Sequence, residues 1–160
     1  MALIIEDGTG KADAQSYVSE SDLVIYAAAR GVTLTSSTVS AREAILVQGV
    51  DYVESKSFIG DKRTQAQSLQ WPRYNVVIDD FTVDSDVIPQ LLIDALCEVA
   101  ISIDGGTNPL ANLGRETIME KVDVLEVEYS KSAHAQTYLT AAETKLSKLV
   151  KNMSNRAIRG

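Results

Sequence analysis

Apolar residues recur at helical spacing in four stretches of the chain and alternate with a period of two in one more. Ser19 is placed to cap a helix, Asp22 falls in its first turn, Leu23, Tyr26 and Ala27 share a face, and Gly31 is a stop. A first helix near 20–30 follows. Ser40-Ala41-Arg42-Glu43 has capping-box spacing, in which the Ser hydroxyl and the Glu carboxylate each satisfy an orphan amide. It predicts a second helix to about Ser57, with Leu46, Val50 and Val53 inward and Gly60 past its end. The third pattern is the clearest: Ser85 or Asp86 near the cap, Pro89 in the first turn, Leu92, Leu96, Val99 and Ile103 on one face, and Gly105-Gly106 as terminator. A fourth helix is predicted from Ala133 to about Asn152, marked by Tyr138, Ala142, Leu146, Leu149 and Met153.

The remaining segments read as irregular or extended. Residues 2–5 suit a short strand ended by the turn Asp7-Gly8-Thr9-Gly10. Residues 60–85 read as a long polar and aromatic loop packed under Trp71 and Tyr74. Over 117–129, Val122 and Val124 alternate, then Leu125, Val127 and Tyr129 alternate in the opposite phase, the signature of a bulged strand or hairpin. The predicted fold is mainly α: a four-helix bundle-like protomer with a short β hairpin or bulged strand and a long C-terminal helix and tail. Residues 1–144 form its helical domain, with the β insertion near 117–129, and 145–160 form a basic segment continuous with the last helix.

Charge changes this picture at one end. Fifteen Lys and Arg against twenty-two Asp and Glu give a net −7. Lys145, Lys148, Lys151, Arg156 and Arg159 lie in a stretch without an acidic residue, so 145–160 carries cations interleaved with Leu149, Met153 and Ile158, and the rest of the chain is strongly acidic. An acidic body disfavours general nucleic-acid binding, because phosphate neutralisation requires clustered cations. The first residues lack the basic region of an export signal, and no apolar run approaches the roughly 20 residues needed to span a bilayer. Neither export nor a membrane partner is expected.

No motif asks for a catalytic site, a metal or a cofactor, and the chain reads as a non-enzyme. Gly8-Thr9-Gly10-Lys11 lacks the first glycine of a phosphate-binding loop and has Ala12 where the hydroxyl residue belongs. His134 is the single histidine, which excludes multi-histidine zinc sites. Asp79, Asp80, Asp84 and Asp86 are spaced unlike a calcium loop and suit the approach to a helix N-terminus. Cys97 sits among apolar helical positions as a core thiol. Trp71, the only tryptophan, is held by Pro72 beside Arg73. These three residues read as a structural anchor; one ring and one cation do not make a strand-binding groove.

Leu69-Gln70-Trp71-Pro72-Arg73 followed by Ile88-Pro89, with Ser16-Tyr17-Val18-Ser19, Ala28-Ala29-Arg30-Gly31, Asp51-Tyr52-Val53 and Ala95-Leu96-Cys97-Glu98-Val99-Ala100, resembles the tailed-bacteriophage head-tail connector (adaptor) proteins. Asp79-Asp80-Phe81 departs from that pattern, which has glycine after an aspartate. Related sequences also carry the label DnaT-like single-stranded-DNA-binding protein. The connector resemblance implies a structural adaptor in the virion neck, assembled in the bacterial cytoplasm as a ring of about a dozen copies below the portal. Portal and a downstream tail or neck protein would be its partners, and genomic DNA would pass through the ring unread. The portal-docking residues would be Lys145, Lys148, Leu149, Lys151, Met153, Arg156, Ile158 and Arg159. Lys121, Val122, Val124, Leu125, Val127 and Tyr129 would meet neighbouring subunits, since an isolated strand pair is marginal in water. The other label implies a replication accessory protein that binds single-stranded DNA.

Overall fold

A computed structural model describes residues 3–111 and 139–151. The helices are α1 (Glu20–Ala29), α2 (Val39–Glu54), α3 (Gln90–Asp104) and α4 (Thr140–Leu146), and between α2 and α3 lie four short strands, β1 (Asp61–Lys62), β2 (Arg73–Tyr74), β3 (Val76–Ile78) and β4 (Phe81–Val83). Two antiparallel ribbons, β1–β2 and β3–β4, replace the loop expected over 60–85. The architecture is therefore mixed α/β, and the mainly α, four-helix bundle-like expectation is corrected. The long C-terminal helix is corrected with it, because α4 has only seven residues.

Local chemistry accounts for the element ends. Ser19 is extended and its Oγ accepts from the Asp22 amide at 3.2 Å, while Gly31 leaves α1 at φ 70°. The cap of α2 is Thr38, whose Oγ1 accepts from the Ala41 amide at 3.3 Å. Glu43 does not complete a capping box; its carboxylate accepts from the Leu3 amide at 3.3 Å instead. Pro89, not Ser85 or Asp86, stands at the cap of α3. Asp79 and Asp80 turn β3 into β4 with φ of 50° and 67°, the left-handed pair that matches the twist of a two-residue hairpin. After α4 the backbone is taken by the segment that follows α2: the Ile59 amide donates to Leu149 O at 2.9 Å and the Lys151 amide to Ser57 O at 2.7 Å. That pairing ends the helix early.

The core lies where α2 and α4 pack on α3, with α1 crossing α3. Leu23, Leu46, Val53, Leu92, Leu96 and Val99 are buried in it, as the helical spacing predicts, and Trp71, Phe58, Leu146 and Leu149 join them. Gly49 lets α2 approach α3 closely; a Cβ there would stand 2.9 Å from Leu96 Cδ1. The N-terminal strand reduces to a single bridge between Ile5 and Ser16. The expected bulged strand over 117–129 lies outside the described residues.

Candidate nucleic-acid interface

Trp71 and Arg73, the pair that suggested a stacking ring beside a phosphate contact, both face inward. Trp71 is fully buried edge-on to Phe58, with centroids 5.9 Å apart and planes at 76°, and its peptide bond to Pro72 is cis. The Trp71 amide donates to Tyr17 Oη at 3.1 Å. Tyr17 in turn donates to Glu54 Oε1 at 2.5 Å, and Glu54 Oε2 accepts from the Gln70 amide at 2.8 Å. Burial pushes both the Tyr17 phenol and the Glu54 carboxyl above their usual ranges.

Arg73 is 6% exposed, and its fork is consumed by carbonyls. Nε donates to Ile59 O at 2.7 Å, Nη2 to Gly60 O at 2.8 Å and Nη1 to Gln70 O at 3.2 Å. Burial lowers its pKa, opposed by the negative charge of Asp61. The guanidinium closes the end of α2 onto the ribbons and has no face left for a phosphate. Trp71, Pro72 and Arg73 are all buried.

The glycine turn is closed to phosphate by the chain itself. Glu6 is buried, its Oε1 accepting from the Gly8 and Gly10 amides at 2.9 Å each and its Oε2 from the Lys11 amide at 2.8 Å. An internal carboxylate thus occupies the amides that an external anion would need. Asp7 beside it is held well below the usual carboxylate range by the Thr9 hydroxyl and by Lys11.

Cations gather next to this turn. Ser68 joins its amide to Lys11 O at 3.0 Å, bringing the 61–68 segment against Lys11. Arg63 Nη1 donates to Gly8 O, and Lys62 Nζ to Gln67 O at 3.3 Å. Both cations are exposed and meet carbonyls here, so these bonds do not neutralise their charge, whereas Lys11 is paired with Asp7 at 2.9 Å. In the register, Lys62 lies opposite the inward-facing Arg73, and Asp61 opposite Tyr74. Strand alternation turns Tyr74 out, to 44% exposure, against the expectation that it packs in the loop. Val77 and Phe81 follow on the next ribbon, 54% and 78% exposed. The Lys62–Arg63 pair was not singled out by sequence reasoning, and only its adjacency could have drawn attention.

Of the cationic segment, Lys145 is half-buried, Lys148 binds Asp79 at 2.6 Å, and Lys151 is exposed on a backbone tied to Ser57. Leu149, expected as an exposed docking anchor, is fully buried in the core. Met153, Arg156, Ile158 and Arg159 lie outside the described residues, as do Lys121, Val122, Val124, Leu125, Val127, Tyr129 and His134. Asp79 and Asp80 form the hairpin turn, and no cluster of His, Cys, Asp and Glu suited to a metal occurs among the described residues. Cys97 is buried, which pushes its thiol up to about 12.

The whole chain, residues 1–160, matches the family described as "Putative DnaT-like ssDNA binding protein". The chain belongs to this family. No curated protein and no solved structure matches it. The head-tail connector reading is corrected by this match, which names a different class of protein and gives no support to a virion role, a portal partner or a connector ring.

Proposed function

We propose that the protein binds single-stranded DNA without catalysing a reaction, and that the strand crosses the β1–β2 ribbon, where Tyr74 turns outward beside Asp61 and the exposed Lys62 and Arg63 lie at the end of β1. The observation that carries this reading is membership, over all 160 residues, of a family described by that activity. The geometry supports one face over the others. Lys62 and Arg63 offer charge to phosphates, and the exposed Tyr74 ring offers a stacking surface worth about 1–3 kcal/mol per base. The acidic residues elsewhere in the chain repel the DNA backbone, which weakens binding away from clustered cations.

Fluorescence anisotropy with a labelled oligothymidine tests it. Two neutralised phosphates on a single strand give a slope of log K against log salt near −1.4, so affinity should fall about sevenfold between 50 and 200 mM salt. Lys62→Glu with Arg63→Glu should abolish binding at low salt while leaving the far-UV spectrum unchanged. Absence of binding by the native protein at low salt, or equal binding by the double variant, refutes the assignment.

A further inference from the structure

A second surface lies away from the ribbons, between α1 and α3. On α1, Asp22, Ile25, Tyr26 and Arg30 fall three and four residues apart and so form one stripe; Ile93, Asp94 and Cys97 form the facing stripe on α3. Together they enclose a groove of about 500 Å³ floored by Tyr17 and Val18. Its lining is mixed, with Ile25 65% exposed and Asp22 and Asp94 as its acidic residues. Arg30 brings no free positive charge, because its guanidinium lies 3.3 Å from the Tyr26 ring centroid and its Nε 3.6 Å from Glu98. Asp22 and Asp94 therefore set the sign of the groove.

We propose that residues 152–160 of the same chain dock in this groove, with Ile158 against Ile25 and Arg156 and Arg159 against Asp94 and Asp22. The segment Asn152-Met153-Ser154-Asn155-Arg156-Ala157-Ile158-Arg159-Gly160 holds two cations and two large apolar residues and no acid, the complement of that lining. Its start is fixed: the Lys151 amide is bonded to Ser57 O, three residues beyond Glu54. The Glu54 carboxylate holds Tyr17, whose ring lines the groove. The seven residues after Lys151, up to Ile158, reach about 23 Å when extended. At the β3–β4 turn, by contrast, Lys148 already pairs with Asp79 at 2.6 Å. The docking uses neither Lys62 nor Arg63 and stands apart from the DNA-binding reading.

Disulfide trapping in the full chain tests the docking. Ile25 is mostly exposed, so Ile25→Cys leaves the fold intact, and Cys97, which lines the same groove, is replaced by serine in every variant so that its thiol does not compete. With Ile158→Cys, mild oxidation should give an intramolecular bond, seen by mass spectrometry and as a faster monomer band on a non-reducing gel. Adding Asp22→Lys and Asp94→Lys should slow its formation about tenfold, the loss expected of two partly exposed ion pairs. Cross-links between copies would assign the groove to a second molecule and overturn the proposal. No cross-link, or an equal yield when Phe81→Cys replaces Ile25→Cys, overturns it as well.

Discussion

Truncating Trp71 to alanine should loosen the whole domain, and truncating it to phenylalanine should do so far less. The ring is fully buried and meets Phe58 edge-on. Removing a buried aromatic of this size costs about 3–5 kcal/mol, lost contact and residual cavity together. Domains are held by only about 5–15 kcal/mol, so Trp71→Ala is left marginal. The indole adds a second consideration, because Trp71 Nε1 is the one buried side-chain nitrogen or oxygen without a hydrogen-bond partner among the described residues. A buried donor left unpaired costs about 1–3 kcal/mol, and Trp71→Phe removes it while keeping one six-membered ring against Phe58. The phenylalanine variant should therefore lose only about 1–2 kcal/mol. Urea unfolding followed by far-UV circular dichroism separates the two: with a slope near 2 kcal/mol/M, the midpoint should fall by about 2 M for alanine and under about 1 M for phenylalanine. Equal losses would show that the indole N–H is satisfied in solution. An unchanged midpoint for Trp71→Ala, with DNA binding lost, would return this residue to the surface and refute the core assignment.

Glu6→Gln leaves one amide oxygen to accept what the carboxylate takes from Gly8, Gly10 and Lys11, so a loss of about 1–3 kcal/mol is expected, with faster hydrogen exchange at those amides. Asp104 is partly buried, which opposes its ionisation, but hydrogen bonds from Ser36 and Thr35 outweigh this and hold its pKa below the ordinary 3.8. A lowered folded-state pKa contributes stability above the unfolded value that is lost as pH falls through it, so the margin of the native protein over Asp104→Asn should be constant near neutrality and shrink below about pH 4. A margin that grows on acidification would contradict the contact between Asp104 and the Thr35–Ser36 amides, set at 2.6 and 2.9 Å. Gly49→Ala gains about 1 kcal/mol of helix propensity but forces Leu96 in a close-packed contact costing about 1–3 kcal/mol, so a net loss near 1 kcal/mol is expected in thermal melts.

What was legible in the sequence was what depends on near neighbours. The α1 boundaries follow from Ser19 and Gly31 because a cap bonds within three residues, and α3 follows from an unbroken apolar stripe. Two cap-competent hydroxyls, Thr38 and Ser40, stand two residues apart ahead of α2, and only the distant pull of Leu3 on Glu43 shows why the capping box did not form. The β3–β4 hairpin was missed because its turn is Asp79-Asp80 rather than a glycine-bearing pair, and both aspartates adopt a backbone that most residues avoid. α4 was drawn too long because Leu149 and Val150 continue its apolar spacing; their backbone is claimed by Phe58 and Ile59, about ninety residues earlier, which no local pattern encodes.

The candidate site follows the same division, and it also reconciles an acidic chain with a DNA-binding family. Net charge describes the far field, whereas a strand meets the cations that are not already paired. Arg42 is bound to Glu20, Lys56 to Glu143, Lys148 to Asp79 and Arg30 to Glu98, so these cations hold elements of the fold together. Each of those pairs joins residues at least 22 positions apart and is invisible in composition. Lys62 and Arg63 differ in that their hydrogen bonds go to the carbonyls of Gln67 and Gly8, although the charge of Lys62 also acts on the Glu54 carboxylate. Contacts of Ser68 with Lys11 and of Arg63 with Gly8, across 57 and 55 residues, bring them beside Lys11. A net charge of −7 over the whole chain does not abolish such a site. It lowers affinity at low salt, and because salt screens that repulsion it moderates the fall of affinity with salt.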